Sequence, residues 1–308
     1  MKRSIKSIEA SQNLEPLKLN RFKLEDRQLI QTYIDTFHPE SCEYNFSNLY
    51  VWQDAYKMSW TLYQERLLIY DGVSKCAFMP LGKPFQPEDM VVLALILRKT
   101  DLKPVFNLLT SEYLKKFPKT EDYFDVKKER NDAEYVYLVE SLCELTGPKL
   151  HKKRNLIAQF KRLYPDFQIH SLNGIYKEKA LSFSQELKNR IKTSSKTLDQ
   201  EMKALERSFY HFEDLGLEGL VLTINTHVIA FSIFSKLSQS TYDIQFEKAD
   251  REYKGAAQVI NHEAAKLLRN KCQYLNREQD LGIMGLRQAK LSYDPVKLIT
   301  PYRLVFTP

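Results

Sequence analysis

The apolar residues of this chain come only in short runs. The longest, 90–97, is about half of the roughly 20 residues that a membrane-crossing helix needs. By its own sequence the chain is therefore expected neither to cross nor to enter a bilayer, and any contact with lipid would be made from the cytoplasmic side. Its 308 residues exceed an ordinary single domain, and 43% hydrophobic with 28% charged residues is globular composition, so two packed units with modest cores are expected. Disorder is confined by this reading to the first dozen residues.

The start, Met1-Lys2-Arg3-Ser4-Ile5-Lys6, is basic, but no apolar segment of a signal peptide follows it. Cys42, Cys76, Cys143 and Cys272 are scattered without a C-x-x-C pair, which suits a reducing, cytoplasmic compartment. The six histidines lack ligand spacing, so no metal site is expected. The net charge of +7 favours anionic partners: RNA, phospholipid head groups or a phosphorylated cofactor.

The N-terminal half reads as a helix over 24–37 stopped by His38-Pro39, then an aromatic segment at helical spacing over 41–52. Strand-like runs follow at 57–63, 66–70 and 76–79. Next come a helix over 87–98 with proline in its first turn, a strand at 105–108, a helix at 111–117 and strands near 123–126 and 135–139. The turn Thr146-Gly147-Pro148 predicts a boundary, giving domains 1–147 and 148–308. The second domain opens with a basic helix over 149–164, ended by Pro165. Helices over 175–191 and from a capping box at Thr197-Leu198-Asp199-Gln200 lead to strands at 220–225, 228–234 and 241–246. A glycine turn at Lys254-Gly255 opens a helix over 256–269. A strand at 272–276, a turn at Gly282 and Gly285, a short helix at 286–291 and a terminal strand after Pro295 complete the chain. The class is α/β or α+β, with strands and helices intermixed.

That order of elements resembles the GNAT acyltransferase fold, with the N-terminal half as a second, degenerate copy, although no residue-level repeat proves it. Three segments are more specific: 41–52, His151-Lys152-Lys153-Arg154-Asn155, and 276–295, which carries an unusual Gly-Leu-Arg-x-x-Lys-x-x-Tyr-x-Pro ending. Together they resemble a bacterial family related to the soluble C-terminal synthase domain of phosphatidylglycerol lysyltransferases, across nearly the whole chain. The resemblance implies two tandem GNAT-like domains, each a mixed central sheet flanked by helices. It also implies transfer of an aminoacyl group from aminoacyl-tRNA to a lipid hydroxyl, although fold alone fixes no reaction.

Several groups could carry that chemistry. In coenzyme A-binding GNAT proteins the loop before the main helix holds a pyrophosphate on backbone N–H groups. Here Lys254, Gly255, Ala256 and Ala257 occupy it, with Gly255 and Ala257 matching the pattern and Glu252 repulsive where Gln or Arg is expected. A glycine that merely turns a strand into a helix explains the same residues. At the end of a central strand, where open sheets place ligands, Glu278 or Asp280 would be the base and Arg287 and Lys290 would hold phosphate or oxyanion. Tyr293 would donate a proton or simply pack. Glu247, Asn276 and Arg277 would face the substrate, and Lys152, Lys153 and Arg154 would dock an anion such as tRNA or anionic phospholipid. A structural ion-pair network and a solvated helix face are the competing explanations.

No Walker, G-x-G-x-x-G, G-x-S-x-G or DNA-binding helix-turn-helix pattern is present. Three functions remain open: an aminoacyl-tRNA-dependent transferase to a lipid or other small hydroxyl or amine acceptor, an acyl-CoA-dependent N-acyltransferase, and a non-enzymatic module binding RNA or an anionic ligand.

Overall fold

The apolar run at 90–97 forms the middle of a buried helix, Pro87–Lys99. Its proline sits in the first turn with Glu88 and Asp89, and Arg98 and Lys99 end it, so charge complements the helix dipole at both ends. The computed structural model describes residues 15–191 and 195–307, which fall into two units: unit 1 holds 15–133 with 300–307, and unit 2 holds 134–299.

Unit 1 contains α1 (Arg27–Phe37), α2 (Phe46–Tyr56), β1 (Ser59–Tyr63), β2 (Arg66–Asp71), β3 (Cys76–Phe78), α3 (Pro87–Lys99), β4 (Val105–Leu109), α4 (Ser111–Lys116) and β5 (Phe124–Lys128). Unit 2 contains β6 (Glu134–Leu138), α5 (Val139–Glu144), α6 (His151–Leu163), β7 (Gln168–Ser171), α7 (Ile175–Asn189), α8 (Lys196–Tyr210), β8 (Glu218–Ile224), β9 (His227–Lys236), β10 (Thr241–Ala249), α9 (Ala256–Leu268), β11 (Tyr274–Gln279), α10 (Met284–Leu291) and β12 (Lys297–Ile299). The last strand, β13 (Tyr302–Phe306), belongs to unit 1 again.

The sheets run β1-β2-β3-β4-β13-β5 and β12-β6-β11-β10-β9-β8-β7. Their plans match. In each, an antiparallel meander meets one parallel neighbour through a helical crossover, α3 between β3 and β4 and α9 between β10 and β11. A further strand then lies antiparallel to both of its neighbours. In unit 1 that strand is β13, from the end of the chain. In unit 2 it is β6, from the middle of the chain.

Three expectations are corrected. The division falls between Ala133 and Glu134 rather than at 147/148, and the last residues return to unit 1. The physical reason is sheet pairing: β6 hydrogen-bonds to β11 and β12, so the chain from Glu134 to Ile299 belongs with the second core, while the 146–148 turn only separates two of its helices. The terminal strand after Pro295 is two strands in two sheets. The helix placed at Thr197 starts at Lys196, because the Ser195 hydroxyl accepts the Leu198 N–H at 3.1 Å and so acts as its cap.

Leu304 and Phe306 of β13 are buried in the core of unit 1. Both tryptophans, Trp52 and Trp60, lie in unit 1 and report on it. A chain ending at Ile299 is expected to lose more than about 4 kcal/mol from the tryptophan-reported unfolding transition in urea. An unshifted transition would mean that β13 is dispensable to that sheet.

Candidate active site

β10 and β11 run parallel but pair only from Thr241 opposite Tyr274 to Asp243 opposite Asn276. Beyond that point β10 stays on β9, across an irregularity between Ile244 and Phe246, and β11 continues on β6 with its own irregularity between Asn276 and Gln279. The two strands thus part company in the middle of the sheet. Polar side chains fill the opening.

Arg277 spans it. Its Nη2 donates to Glu247 Oε1 at 2.8 Å, and Glu247 Oε2 accepts from Asn261 Nδ2 of α9 at 3.2 Å. The guanidinium carbon stands 5.0 Å from the Tyr293 ring centre and 5.8 Å from that of Tyr137. Lys153 Nζ from α6 lies 4.2 Å from the same Tyr293 ring. Two cations therefore flank one aromatic ring, and Lys153 has no carboxylate partner among the described residues. Burial lowers the Lys153 ammonium and the charge of Arg277 lowers it further. Burial raises the Tyr293 phenol to about 12, against the opposing pull of Arg277 and a hydrogen bond with Gln258, so this hydroxyl holds its proton.

The bulge in β11 presents Glu278. Its backbone is left-handed, with φ of 56°, a rare conformation for this residue type. Asn276 supports it: Oδ1 accepts the Glu278 N–H at 2.9 Å, and Nδ2 donates to the buried carboxylate of Glu134 on β6. The Glu278 carboxylate lies within 4.8 Å of that of Asp243, which is fully buried on β10 at the last paired position.

Asp280 is placed differently. It is fully buried and accepts from Arg287 Nε and Nη2 at 2.8 Å each, from the Gly282 N–H at 2.8 Å and from the Tyr135 hydroxyl. The Arg287 bonds, together with Tyr135 and Gly282, hold its carboxyl well below the usual range, so it makes a poor base. Arg287 is committed to it as a bidentate partner. Lys290 Nζ donates to the Arg277 carbonyl, and the Lys290 carbonyl accepts from the Tyr137 hydroxyl at 2.8 Å. Asp280, Arg287 and Lys290 thus brace the end of β11, which carries Arg277 and Glu278, and the loop that follows it.

Gly255, with φ of 99°, caps α9. A Cβ there would meet the Leu156 carbonyl at 2.7 Å and Phe160 Cβ at 2.9 Å, so close packing against α6 accounts for the glycine without a phosphate. Lys254 is exposed, Ala256 buried and Ala257 half-buried, and the Ala256 N–H is taken by the Tyr253 carbonyl. The preceding turn carries Asp250 and Glu252 against Arg251 and Lys254. Asp250 accepts the Glu252 N–H and pairs with Arg190 at 2.6 Å. Lys152 is exposed, and Arg154 caps the carbonyls of Leu145 and Gly147.

The structure thus gathers Glu247, Arg277, Tyr293 and Lys153, sets Asn276 and Glu278 beside them, and leaves Lys152, Arg154 and Lys254 apart. Sequence reasoning did not assign Asp243, Asn261, Gln258 or the β6 residues Glu134, Tyr135 and Tyr137 to the site. For Asp243 a signal existed, since Asp243, Gln245 and Glu247 alternate as a polar face. The β6 residues lie about 140 positions away in the chain and offered none.

Matched plans in two mixed sheets define a tandem GNAT-like fold. The chain belongs to the family described as phosphatidylglycerol lysyltransferase, C-terminal, which it matches over residues 35–305. It is similar to a conserved protein of unknown function from Bacteroides thetaiotaomicron, with 28% identity, a TM-score of 0.87, and coverage of 94% of this chain and 100% of that one. The C-terminal domain of a protein described as a lysylphosphatidylglycerol synthetase from Agrobacterium fabrum shares the fold at 11% identity, with a TM-score of 0.63 and 93% of each chain covered. An uncharacterized protein of Mycoplasmoides gallisepticum is 24% identical over 245 residues, 76% of each chain. No helix among the described residues is long and apolar enough to cross a membrane.

Two outcomes follow from this geometry. Asp280→Asn removes one partner of a buried pair and is expected to cost about 3 kcal/mol at neutral pH. Because the native carboxyl is depressed, that contribution is fully present above the unfolded value of about 3.9 and is lost as pH falls toward the native one. Urea titrations should therefore show a constant difference between the two proteins from pH 7 down to about 4, with the curves beginning to approach each other only below that. Gly255→Ala is expected to destabilise by more than about 1 kcal/mol, through a disfavoured φ and two close contacts, whether or not coenzyme A is present. Equal melting temperatures for wild type and variant would contradict this.

Proposed function

We propose that the chain is a transferase that moves an aminoacyl group from aminoacyl-tRNA to a hydroxyl or amine on a lipid or other small acceptor. One observation carries the reading: two half-buried cations, Lys153 and Arg277, stand over Tyr293 where β10 and β11 part, one residue along β11 from the paired carboxylates of Glu278 and Asp243. Membership of the lysyltransferase family supports the same class of donor and acceptor.

In this reading the acceptor hydroxyl or amine attacks the ester carbonyl that joins the amino acid to the terminal ribose of the tRNA. The Glu278–Asp243 pair accepts the proton that the acceptor loses, as the bond to the carbonyl carbon forms. Lys153 and Arg277 stabilise the negative charge on the carbonyl oxygen. When the ester C–O bond breaks, the ribose oxygen leaves and recovers a proton from the same pair. The base role passes from Asp280 to Glu278 with Asp243, because Asp280 is saturated by donors. The anion role passes from Arg287 and Lys290 to Arg277 and Lys153, because the first two brace the loop. Tyr293, which holds its proton at neutral pH, orients the cations rather than acting as an acid. The exposed Lys152 of α6 contributes to docking the tRNA.

Acyl-CoA is the weaker donor in this geometry. Gly255 is explained by packing, and the Ala256 N–H at the start of the helix is already taken by the Tyr253 carbonyl.

The test is transfer of radiolabel from a pool of charged tRNAs to an extract of polar lipids and to small amines. Glu278→Gln is expected to reduce the rate by about 100-fold or more with an unchanged melting temperature, and Lys153→Ala to lower it as well. Absence of transfer from every charged tRNA, with micromolar binding of acetyl-CoA in a calorimetric titration, would reject this donor.

A further inference from the structure

Eighteen large apolar side chains stand exposed among the described residues, and seven of them fall within the eighteen positions from Leu281 to Leu298. The density is highest at one turn, where Leu281, Ile283 and Met284 are 60, 56 and 62% exposed and Leu286 follows. Apolar side chains concentrated like this on a convex turn mark a contact surface rather than ordinary surface scatter.

The turn is fixed from inside. Leu281 and Gly282 are left-handed, with φ of 51° and 73°. The Gly282 N–H donates to Asp280 Oδ1, the Ile283 N–H donates to the Asp280 carbonyl at 2.9 Å, and Arg287 grips the Asp280 carboxylate from the first turn of α10. A buried ion pair thus holds three aliphatic side chains out into water.

Charge narrows the choice of partner. With Arg287 neutralised by Asp280, the segment 281–298 carries Lys290 and Lys297 against one carboxylate, Asp294, and Asp294 is paired with Lys149 at 2.8 Å. Lys149 in turn leads into the basic start of α6, with Lys152 exposed. A second copy of the chain would set like charges against each other. A nucleic acid would be met by cations and stacking rings, whereas the exposed tip is aliphatic. Aliphatic side chains bordered by cations match the interface of an anionic bilayer, with the chains among the acyl groups and the cations at the phosphates.

We infer that the Leu281–Met284 turn is a finger that docks the protein on the surface of an anionic phospholipid bilayer. Its purpose rests on the transferase reading above: the turn lies between Arg277 and Tyr293 in the chain, so docking brings lipid head groups to the parting strands. The docking itself does not depend on that reading.

The experiment is flotation of the full chain with vesicles, in the absence of tRNA. At least tenfold more binding is expected to vesicles of phosphatidylglycerol and phosphatidylcholine in equal parts than to phosphatidylcholine alone, and the double variant I283D/M284D should lose at least tenfold. Ile283 is the cap of α10, a position that favours aspartate, so the variant should melt no earlier than the wild type. Met284→Trp should gain a blue-shifted emission when the anionic vesicles are added. The inference is overturned if the wild type does not float with anionic vesicles, or if I283D/M284D binds them undiminished. It is also overturned if sedimentation shows a dimer of the wild type that the double variant abolishes. Vesicle binding without any aminoacyl transfer would leave the finger standing and remove the catalytic reading. Transfer to a water-soluble acceptor by a protein that ignores vesicles would do the reverse.

Discussion

The buried carboxylate of Asp280 is the point on which the site depends. Taking a charge out of water costs several kcal/mol, and a single opposing charge seldom repays it. Asp280 meets that cost with four donors: both arms of the Arg287 fork, a backbone N–H and the Tyr135 hydroxyl. The satisfied pair fixes the loop that follows β11 to a strand far away in sequence. That loop sets the position of Arg277 and Glu278 on one side and of the apolar turn on the other. A hydrophobic substitute of the same volume could fill the space, but it could not aim an N–H, a guanidinium and a phenol at one point. Here the buried charge specifies geometry more than it stabilises.

The parting of β10 and β11 creates the second constraint. Parallel strands that stop pairing leave backbone groups and polar side chains in the middle of a sheet, where unmet hydrogen bonds are costly. Arg277 and Glu247 bridge the opening and Asn276 closes the bulge, so most of this polarity is answered internally. Lys153 is the exception. It shares the Tyr293 ring with Arg277, and the one ion-paired carboxylate there, Glu247, belongs to Arg277. Around the Tyr293 ring two cations thus meet one carboxylate, and such a half-buried position suits a group that carries or develops negative charge.

Much of the fold could be read in the chain because it is locally encoded. The proline-started helix at 87–99, the β8–β9 hairpin and the glycine-opened α9 each announce themselves within a few residues. The boundary could not be read. The 146–148 turn is a genuine local signal, but which sheet β6 joins is decided by pairing with β11 and β12, more than 100 residues later. The site shows the same division. Glu278, Asp280, Arg287 and Lys290 lie close in sequence and were candidates together, and what separates loop braces from reactive groups is contact with Tyr135, Tyr137, Glu134 and Asp243. Gly255 fitted a phosphate-loop pattern, yet only the distance to Leu156 and Phe160 reveals that packing alone demands it.

The two sheets give this division a physical cause. Each needs a strand between its parallel pair and its edge, and each takes that strand from a part of the chain remote from its own neighbours: β13 in one case, β6 in the other. Closing such long loops costs little more entropy than closing short ones, so the arrangement is thermodynamically accessible. Its consequence is functional. The strand that holds Asp280 through Tyr135, supports Asn276 through Glu134 and binds the Lys290 carbonyl through Tyr137 precedes the rest of the site by roughly half the chain. A unit cut at residue 148 would keep every candidate catalytic residue and lose the groups that aim them, so a piece able to hold this site begins no later than Glu134.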